Sequence, residues 1–461
     1  MKGFSKLAWA ALAVLGAFCL GTIALRRGEQ INALWIVVAA VSIYLVAYRY
    51  YSLFIATKVM GLDPTRATPA VIHNDGLDFV PTNKHVLFGH HFAAIAGAGP
   101  LVGPVLAAQM GYLPGLLWLI SGVVLAGAVQ DFMVLFISSR RDGRSLGDLV
   151  REEMGRIPGI IALFGAFLIM IIILAVLAMI VVKALAESPW GMFTVMATLP
   201  IAMFMGVYMR YIRPGKIGEI SVIGIVLLLL SIWLGGKVGA HSTWGPAFTF
   251  TGVQITWMLV GYGFVAAVMP VWLILAPRDY LSTFLKIGTI IALAIGILVV
   301  MPDMKMPALT EFASTGMGPV WKGGLFPFLF ITIACGAVSG FHALISSGTT
   351  PKLLASESHT RYIGYGGMLM ESFVAIMALV AASVIEPGVY FAMNSPAALV
   401  GSDVQSVAAA VSSWGFTITP GELEAVATDI GEHTILARAG GAPTLAVGIA
   451  QILHQVLPGE N

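Results

Sequence analysis

The sequence predicts an all-α protein that crosses a membrane many times. Of its 461 residues, 58% are hydrophobic and only 10% are charged, and the mean hydropathy is +0.91. Soluble globular chains are less apolar and more highly charged. The apolar residues form long runs, and one of these, residues 88–112, is also rich in glycine and proline. That combination is typical of a membrane helix with a break in it.

Apolar runs of about 20 residues are long enough to cross the hydrocarbon core of a bilayer, and they predict about 11–12 transmembrane helices. The predicted spans are residues 7–25, 31–56, 85–112, 113–137, 158–186, 190–209, 219–236, 254–275, 284–302, 325–346 and 364–386. The first follows two lysines, as the core of a signal peptide does, but its length favours a retained helix.

The composition excludes several other classes of protein. A formal net charge of +2 does not favour a nucleic-acid partner, and Cys19 and Cys335 form no paired metal or redox motif. The chain has no phosphate-binding loop and no GxSxG or HExxH pattern, so we expect neither an enzyme nor a cofactor. His90 and His91 point about 100° apart on a helix and are not expected to share a metal ion.

The distribution of Lys and Arg predicts the orientation. If the N-terminus is cytoplasmic, most basic residues fall in cytoplasmic connections, among them 140–144, 210–216 and 352–361. The positive-inside rule describes this distribution, although the Arg26–Arg27 pair departs from it. Segment 137–155 is predicted to form a short amphipathic helix and gate-closing ion pairs, and a solvated face is the alternative. Segment 277–286 is predicted as another gate element, with Arg278 and Asp279 at the inner mouth.

A polar segment near the C-terminal end departs from the apolar pattern. Residues 387–441 predict a small extracytoplasmic cap containing a helix with Thr419 as its N-cap, Pro420 at its first position and Glu422 in its first turn. Residues 442–461 begin another apolar stretch that stops early, which suggests a truncated chain.

The order of the spans is compatible with an inverted repeat of two five-helix halves. The first half begins with the broken helix at 85–112, and the equivalent helix of the second half, 254–275, contains Gly261, Gly263 and Pro270. We therefore predict a second break at these residues. The predicted units are N-terminal helices 1–60, a cytoplasmic loop 61–84, repeats 85–236 and 237–386 (the latter incomplete), the cap 387–441 and a further membrane segment 442–461.

The glycines and prolines of the first broken helix are candidates for substrate binding. Gly97, Gly99, Pro100 and Gly103 should unwind the helix and leave free N–H groups at the start of its second half. Such a helix end carries partial positive charge and binds anions such as a carboxylate. A kinked packing face is the alternative. Gln109 is predicted to line the same site or to join helices.

Residues 326–352 combine apolar and polar side chains. His342, Ser346 and Ser347 supply imidazole and hydroxyl groups that could hold a substrate or a small cation. For the two serines, hydrogen bonding to their own helix is the alternative.

Ionisable side chains within apolar runs are candidates for carrying protons, because burying a charge is costly. His90, His91, Asp131 and Glu371 meet this description, and Glu371 is the strongest candidate since it lies about two helical turns inside its span. An interfacial position for the histidines and a basic partner for Glu371 are the alternatives. These groups favour H⁺ over Na⁺ as the coupling ion, without excluding Na⁺.

Long stretches of this sequence resemble a known family of membrane proteins. They are FGHHFAAIAGAGPLVGPVLAAQMGYLPG, QDFMVLF followed by RRDGRSLG, LVGYGFVAAVMPVWLILAPRDYLSTFLKIG, FITIACGAVSGFHALISSGTTPK and IGYGGMLMESFVAIMALV. Together they are similar to the carbon starvation protein A family over essentially the whole chain.

The resemblance implies a secondary transporter of the bacterial inner membrane, similar to proton-coupled pyruvate importers and to peptide permeases induced when carbon is scarce. It also implies a fold of the leucine-transporter type, which agrees with the repeat. Family members are usually longer and continue through several more membrane helices. The expected partners are therefore the lipid bilayer and a small carboxylate-bearing substrate, either pyruvate or a short peptide. A membrane sensor that uses the same pocket without net transport is the alternative, and the oligomeric state is left open.

Overall fold

Every long regular element in the described part of the chain is a helix. Within that part, seven helices are long and apolar enough to cross a membrane, and a bent pair makes an eighth candidate. The protein is thus an all-helical polytopic membrane protein, as predicted. The computed structural model describes Cys19, Thr22, Arg26, residues 30–429, 434–436, Arg438 and residues 440–456. The predicted span 7–25 lies almost wholly outside these residues.

The long helices follow one another along the chain and are separated by connections of different lengths. They are α1 (Ala33–Met60), the bent pair α2 (Lys84–Ile95) and α3 (Gly99–Met110), α4 (Tyr112–Arg140), α5 (Arg156–Leu185), α6 (Pro189–Ile212), α7 (Ile217–Ala240), α8 (Gly252–Val268), α9 (Leu275–Val300) and α10 (Glu357–Ser383). The helices described after α10 are α11 (Pro387–Asn394), α12 (Val404–Ser413), α13 (Pro420–Asp429) and α14 (Ala442–Val456), with a short helical turn at Ala397–Val400. Shorter helical turns in the connections are Pro69–Ile72, Leu146–Met154, Trp244–Ala247, Phe312–Thr315 and Thr350–Leu353.

The first broken helix has the predicted form. Helices α2 and α3 are bent by 44° relative to each other, and Ala96 ends α2 with a non-helical φ of −80° and ψ of 63°. Gly99 and Pro100 begin α3, where proline needs no hydrogen-bond acceptor for its nitrogen. The local prediction from glycine and proline is confirmed.

The second predicted break is partly confirmed. Helix α8 runs without interruption through Gly261 and Gly263, so these two glycines do not break it. The chain does leave helical geometry at residues 269–274, which include the predicted Pro270, and α9 then begins well before the predicted residue 284. A further break, which the sequence analysis did not predict, lies in residues 325–346, predicted there as one span. This segment, which we call the second broken segment, consists of the short helices Leu325–Leu329, Phe330–Thr332, Ala334–Ala337 and Gly340–Ser346.

Contacts between connections show that the helix ends alternate between two sides. On one side, Arg140 at the end of α4 pairs with Glu357 at the start of α10, and Arg210 donates to the carbonyl oxygen of Gly76. On the other side, Lys305 pairs with Glu386. The basic connections 140–144, 210–216 and 352–361 thus share one side. Residues 146–154 form the predicted short helix, and Arg141 pairs with Glu152 and Glu153.

Helices α10 and α11 form the centre of the bundle. In α11, Tyr390 and Phe391 are fully buried, and the Tyr390 hydroxyl donates to the Val105 carbonyl oxygen at 2.8 Å. The first part of segment 387–441, which was predicted to be an extracytoplasmic cap, therefore belongs to the core. The N-cap prediction for α13 is confirmed. Hydrogen bonds from Thr419 lower the pKa of Glu422 below its usual range.

Candidate functional site

Three ionisable side chains meet in the interior. Asp131 comes from α4, His342 from the second broken segment and Glu371 from the middle of α10, and all three are fully buried. His342 Nδ1 lies 3.0 Å from Asp131 Oδ2, and His342 Nε2 lies 3.0 Å from Glu371 Oε2. The imidazole therefore bridges two carboxyl groups. We call Asp131, His342 and Glu371 the interior triad.

A thiol extends the interior triad. Cys335 Sγ lies 3.2 Å from Glu371 Oε1 and donates to it, and it lies 3.8 Å from His342 Nε2. One donor atom from each of these three residues lies within 4.8 Å of the others, a spacing that could hold a metal ion. The expectation that the protein uses no metal remains a prediction.

The charges of the interior triad do not balance. A protonated His342 can neutralise one of two ionised carboxylates, and the Oδ1 atom of Asp131 has no hydrogen-bond partner. An uncompensated charge is very costly at such a depth. With both carboxyl groups ionised, the interior triad would therefore need a further proton or a nearby cation to balance its charge.

The two broken segments touch each other beside the interior triad. A Cβ atom built on Gly99 would lie 2.6 Å from Cys335 Sγ, and one on Gly103 would collide with the Thr332 carbonyl oxygen. Because only glycine permits these approaches, Gly99 and Gly103 are required for packing in addition to breaking the helix. On the other side, Gln130 donates to the Ser339 carbonyl oxygen at 2.7 Å, which satisfies a backbone group freed by the second break.

Some space remains open beside the breaks. Gly97 in the first break and Gly340 in the second each face a region in which an added Cβ would meet no atom within 4 Å. Pro100, by contrast, is buried. The predicted residues Gly97, Gly99, Pro100 and Gly103 thus lie at one junction, with His342 on the opposite segment.

A polar stripe on α9 holds the first broken helix. His90 Nδ1 lies 2.8 Å from Asp279 Oδ2, and the Thr283 hydroxyl donates to the Gly89 carbonyl oxygen at 2.7 Å. Farther along, Lys286 Nζ donates to the carbonyl oxygens of Ala93 and Ala96. Asp279, Thr283 and Lys286 are spaced i, i+4 and i+7, so they share one face of α9.

This stripe corrects the prediction for segment 277–286. Asp279 and Lys286 belong to a membrane helix and contact its neighbour α2, whereas they were predicted to be part of a charged connection at the inner mouth. The spacing of the polar residues is visible in the sequence, and it would have indicated a buried helix face if the helix had been predicted to begin at Leu275.

His91, Ser346 and Ser347 are not members of the interior triad and have different surroundings. His91 Nδ1 lies 2.9 Å from the Thr350 hydroxyl, while its Nε2 atom has no partner. Ser347 donates to the Ala343 carbonyl oxygen of its own helix, which is the alternative that the sequence left open. Ser346 is fully buried and its hydroxyl has no partner, so it remains a candidate ligand.

Three predicted binding residues lie elsewhere. The Gln109 side chain is occupied by the backbone of a connection, since it donates to the Trp321 carbonyl oxygen and accepts from Val320 N–H. Gly261 and Gly263 lie on exposed faces of α8, and a Cβ there would meet nothing. The structure does not bring these residues to the interior triad.

Two residues of the site were missed by the sequence analysis. Cys335 contacts Glu371 although it was considered only as one of two unpaired cysteines, and Lys286 binds the first break although it was counted as a basic residue of a connection. Neither contact is local, so only the polar spacing on α9 gave a signal.

These features define a multi-pass membrane protein in which two broken segments meet beside a buried cluster of ionisable side chains. The chain belongs to the carbon starvation protein CstA family, because the family model for that protein matches residues 32–461.

Curated relatives agree with this assignment. The chain is 70% identical over 479 aligned residues to the pyruvate/proton symporter BtsT of Escherichia coli, covering 99% of this chain and 67% of that protein. It is 71% identical over 463 residues to the peptide transporter CstA of the same organism, covering 99% and 66%. The peptide transporter CstA of Campylobacter jejuni is 60% identical, with 99% and 65% covered. The chain spans about two thirds of the length of these relatives. No solved structure matches it, so the leucine-transporter-like repeat stays a prediction.

Proposed function

We propose that this protein is a secondary active transporter that imports small carboxylate-bearing nutrients, pyruvate or short peptides, together with protons. The relatives are named as a pyruvate/proton symporter and as peptide transporters, and none of those cited is named as a sensor or an enzyme. The observation that carries the proposal is the interior triad, a buried imidazole between two carboxyl groups at the junction of two broken segments.

The interior triad offers a physical reason for coupling. Its two carboxyl groups outnumber its single imidazole, so a substrate carboxylate that arrives beside it is repelled unless a proton binds as well. Glu371 is the proposed proton acceptor, because it contacts both His342 and Cys335. His342 can pass a proton between Glu371 and Asp131, since each of its ring nitrogens faces one carboxyl group.

The open space beside Gly97 is the proposed substrate position. Free backbone groups at the breaks would bind the polar ends of the substrate there, as broken helices do in other carriers. Alternating access would follow from movement of the broken segments against the helices that hold them. His90, His91 and Ser346 are proposed as secondary polar contacts along the route.

We further propose that the protein lies in the bacterial inner membrane with its basic connections in the cytoplasm. The side of the bundle that carries connections 140–144, 210–216 and 352–361 would then face inward, in keeping with the positive-inside rule. In this orientation the start of α1 lies on the outer side, next to Pro302, so crossing of the membrane by the predicted span 7–25 would place the N-terminus in the cytoplasm. Accessibility of a single cysteine introduced at Thr65, in a variant without Cys19 and Cys335, to an impermeant thiol reagent in intact cells tests it, and labelling without permeabilisation would reverse the orientation.

Uptake into proteoliposomes tests the function directly. Labelled pyruvate and a labelled dipeptide are offered under an inward-directed proton gradient, with this 461-residue chain and with a longer chain that carries the additional C-terminal part of the relatives. We expect accumulation of at least one substrate, which a protonophore abolishes. Binding of either substrate without accumulation by either chain would overturn the proposal in favour of a sensor.

Competition distinguishes one substrate site from two. If both labelled compounds accumulate, unlabelled pyruvate should inhibit dipeptide uptake competitively, because one junction of broken segments serves both carboxylates. Independent saturation of the two uptakes would contradict a shared site.

A further inference from the structure

We propose that the ammonium group of Lys286 is a tethered cation that takes the place of a bound alkali ion at the first helix break. The proposal rests on the proposed transport function and assigns one of its ion sites. Lys286 would be a positioning residue that holds the break in its binding geometry and makes transport independent of Na⁺.

The break leaves backbone carbonyl groups without their helical donors. In an unbroken helix the Ala93 carbonyl would accept from Gly97 N–H, but Gly97 N–H instead donates to the Ile95 carbonyl oxygen at 2.9 Å. Ala96 has left the helical conformation, so its carbonyl also lacks an intrahelical donor. At membrane depth no lipid group can satisfy these oxygens.

Lys286 satisfies both carbonyls at once. Its Nζ atom lies 3.0 Å from the Ala93 oxygen and 2.8 Å from the Ala96 oxygen. Two oxygens of an unwound segment that converge on one positive charge form the arrangement with which broken helices coordinate Na⁺. Here the amino group that carries the charge is covalently attached to α9, so it cannot diffuse away during a transport cycle.

Lys286 has charged groups of both signs around it. Asp279 and Glu371 attract its ammonium group, whereas burial and Arg278 oppose its charge. Asp279 is in turn paired with His90 of α2. Lys286 therefore connects the break to Glu371 of the interior triad, so a change in protonation of Glu371 alters the electrostatic attraction that holds the break against α9.

A single-site test uses uptake by whichever of the two chains accumulates substrate. Wild-type uptake is measured in Na⁺ buffer and in N-methylglucamine buffer, and we expect no difference. Lys286→Met, which keeps the length but removes the charge, should reduce uptake to the level of empty liposomes. Lys286→Ala, which leaves a space between the carbonyls, should regain uptake on addition of Na⁺ or ethylammonium, with saturation.

The matched control is Lys305→Met, which removes an exposed lysine that pairs with Glu386 on the surface. This variant should transport like the wild type and gain no response to added cations. Unfolding temperatures of all variants in detergent separate loss of fold from loss of function. If Lys286 had a purely structural role, a diffusible cation would not restore uptake.

Three outcomes would overturn the assignment. They are a Na⁺ requirement in the wild type, full uptake by Lys286→Met, and a folded Lys286→Ala variant that no cation rescues. If Lys286→Ala does not fold, Lys286→Arg replaces it: the proposal expects this charged variant to retain uptake, and loss of uptake in a folded Lys286→Arg variant would count against it. Absence of uptake by the wild type in every buffer would instead refute the proposed function itself.

Discussion

Helices α5 and α10 are both apolar and long enough to cross a membrane, but their surroundings are opposite. In the most apolar window of α5 no residue is buried by the rest of the protein, whereas 83% of the corresponding window of α10 is buried. The more apolar of the two is α5, the exposed helix. In water the buried helix would be the more apolar one, but a bilayer is itself an apolar solvent and reverses that expectation.

The same contrast applies to polar side chains. Helix α10 carries Glu371, Tyr365 and Ser372 in fully buried positions, and neighbours on α4 and in the second broken segment face them. In α5 the charged residue within the span is Lys183, close to the helix end. Polar groups in this protein therefore accumulate where helices face one another, and that is where chemistry and stability should be most sensitive to mutation.

The largest effect should come from Glu371 at the centre of α10. Glu371→Gln keeps the shape but cannot release a proton, so accumulation driven by a pH gradient should be abolished while counterflow exchange of labelled for unlabelled substrate continues. Both activities are measured in the same proteoliposomes. Retention of pH-driven accumulation by this variant would exclude Glu371 from proton coupling.

A smaller effect should follow from removing an ion pair at the N-terminal end of α10. Arg140 donates to both oxygens of Glu357 at 3.0 and 2.8 Å, and the Glu357 side chain is only 2% exposed. Arg140→Ala leaves that carboxylate without its partner and should lower the free energy of unfolding by about 3 kcal/mol.

The control for this variant is Arg213→Ala, in the connection between α6 and α7. Arg213 pairs with Glu219, but the two side chains are 55% and 38% exposed, so its loss should change the free energy of unfolding much less than loss of Arg140 does. Denaturant unfolding in mixed detergent–lipid micelles measures both. Equal losses in the free energy of unfolding for the two variants would show that burial of the ion pair makes no difference to its contribution.

Much of the fold could be predicted from the sequence because its signals are local. Apolar run length locates most spans within a few residues, and the density of Gly97, Gly99 and Pro100 locates the first break. The second break escaped prediction because Gly336 and Gly340 are farther apart, without a proline between them, and the same stretch has the length of a continuous span.

The site could be predicted residue by residue but not as an arrangement. Asp131, His342 and Glu371 were each identifiable as ionisable groups in apolar runs, yet their pairing joins residues far apart in the chain, for example Asp131 and His342, which are 211 positions apart. One sequence carries no signal for such a contact. Lys286 was missed for a different reason, since an incorrect helix boundary placed it outside the membrane.

The smallest predicted effect compares Gly127, at a buried helix contact, with Gly261, on an exposed helix face. Gly127 of α4 faces the Ala337 carbonyl oxygen and lies close to the Met368 side chain, so a Cβ there would collide with backbone at the second break. Gly127→Ala should cost about 2 kcal/mol and reduce uptake, because the break would be displaced from Asp131 and His342. Gly261→Ala on α8 adds a Cβ to open space and should be neutral or stabilise the helix by up to about 1 kcal/mol. Unfolding and uptake of both variants measure the difference. Impaired transport by a folded Gly261→Ala variant would show that Gly261 belongs to the substrate site despite its exposed position. Impairment by Gly127→Ala alone would confine the functional breaks to the buried junction.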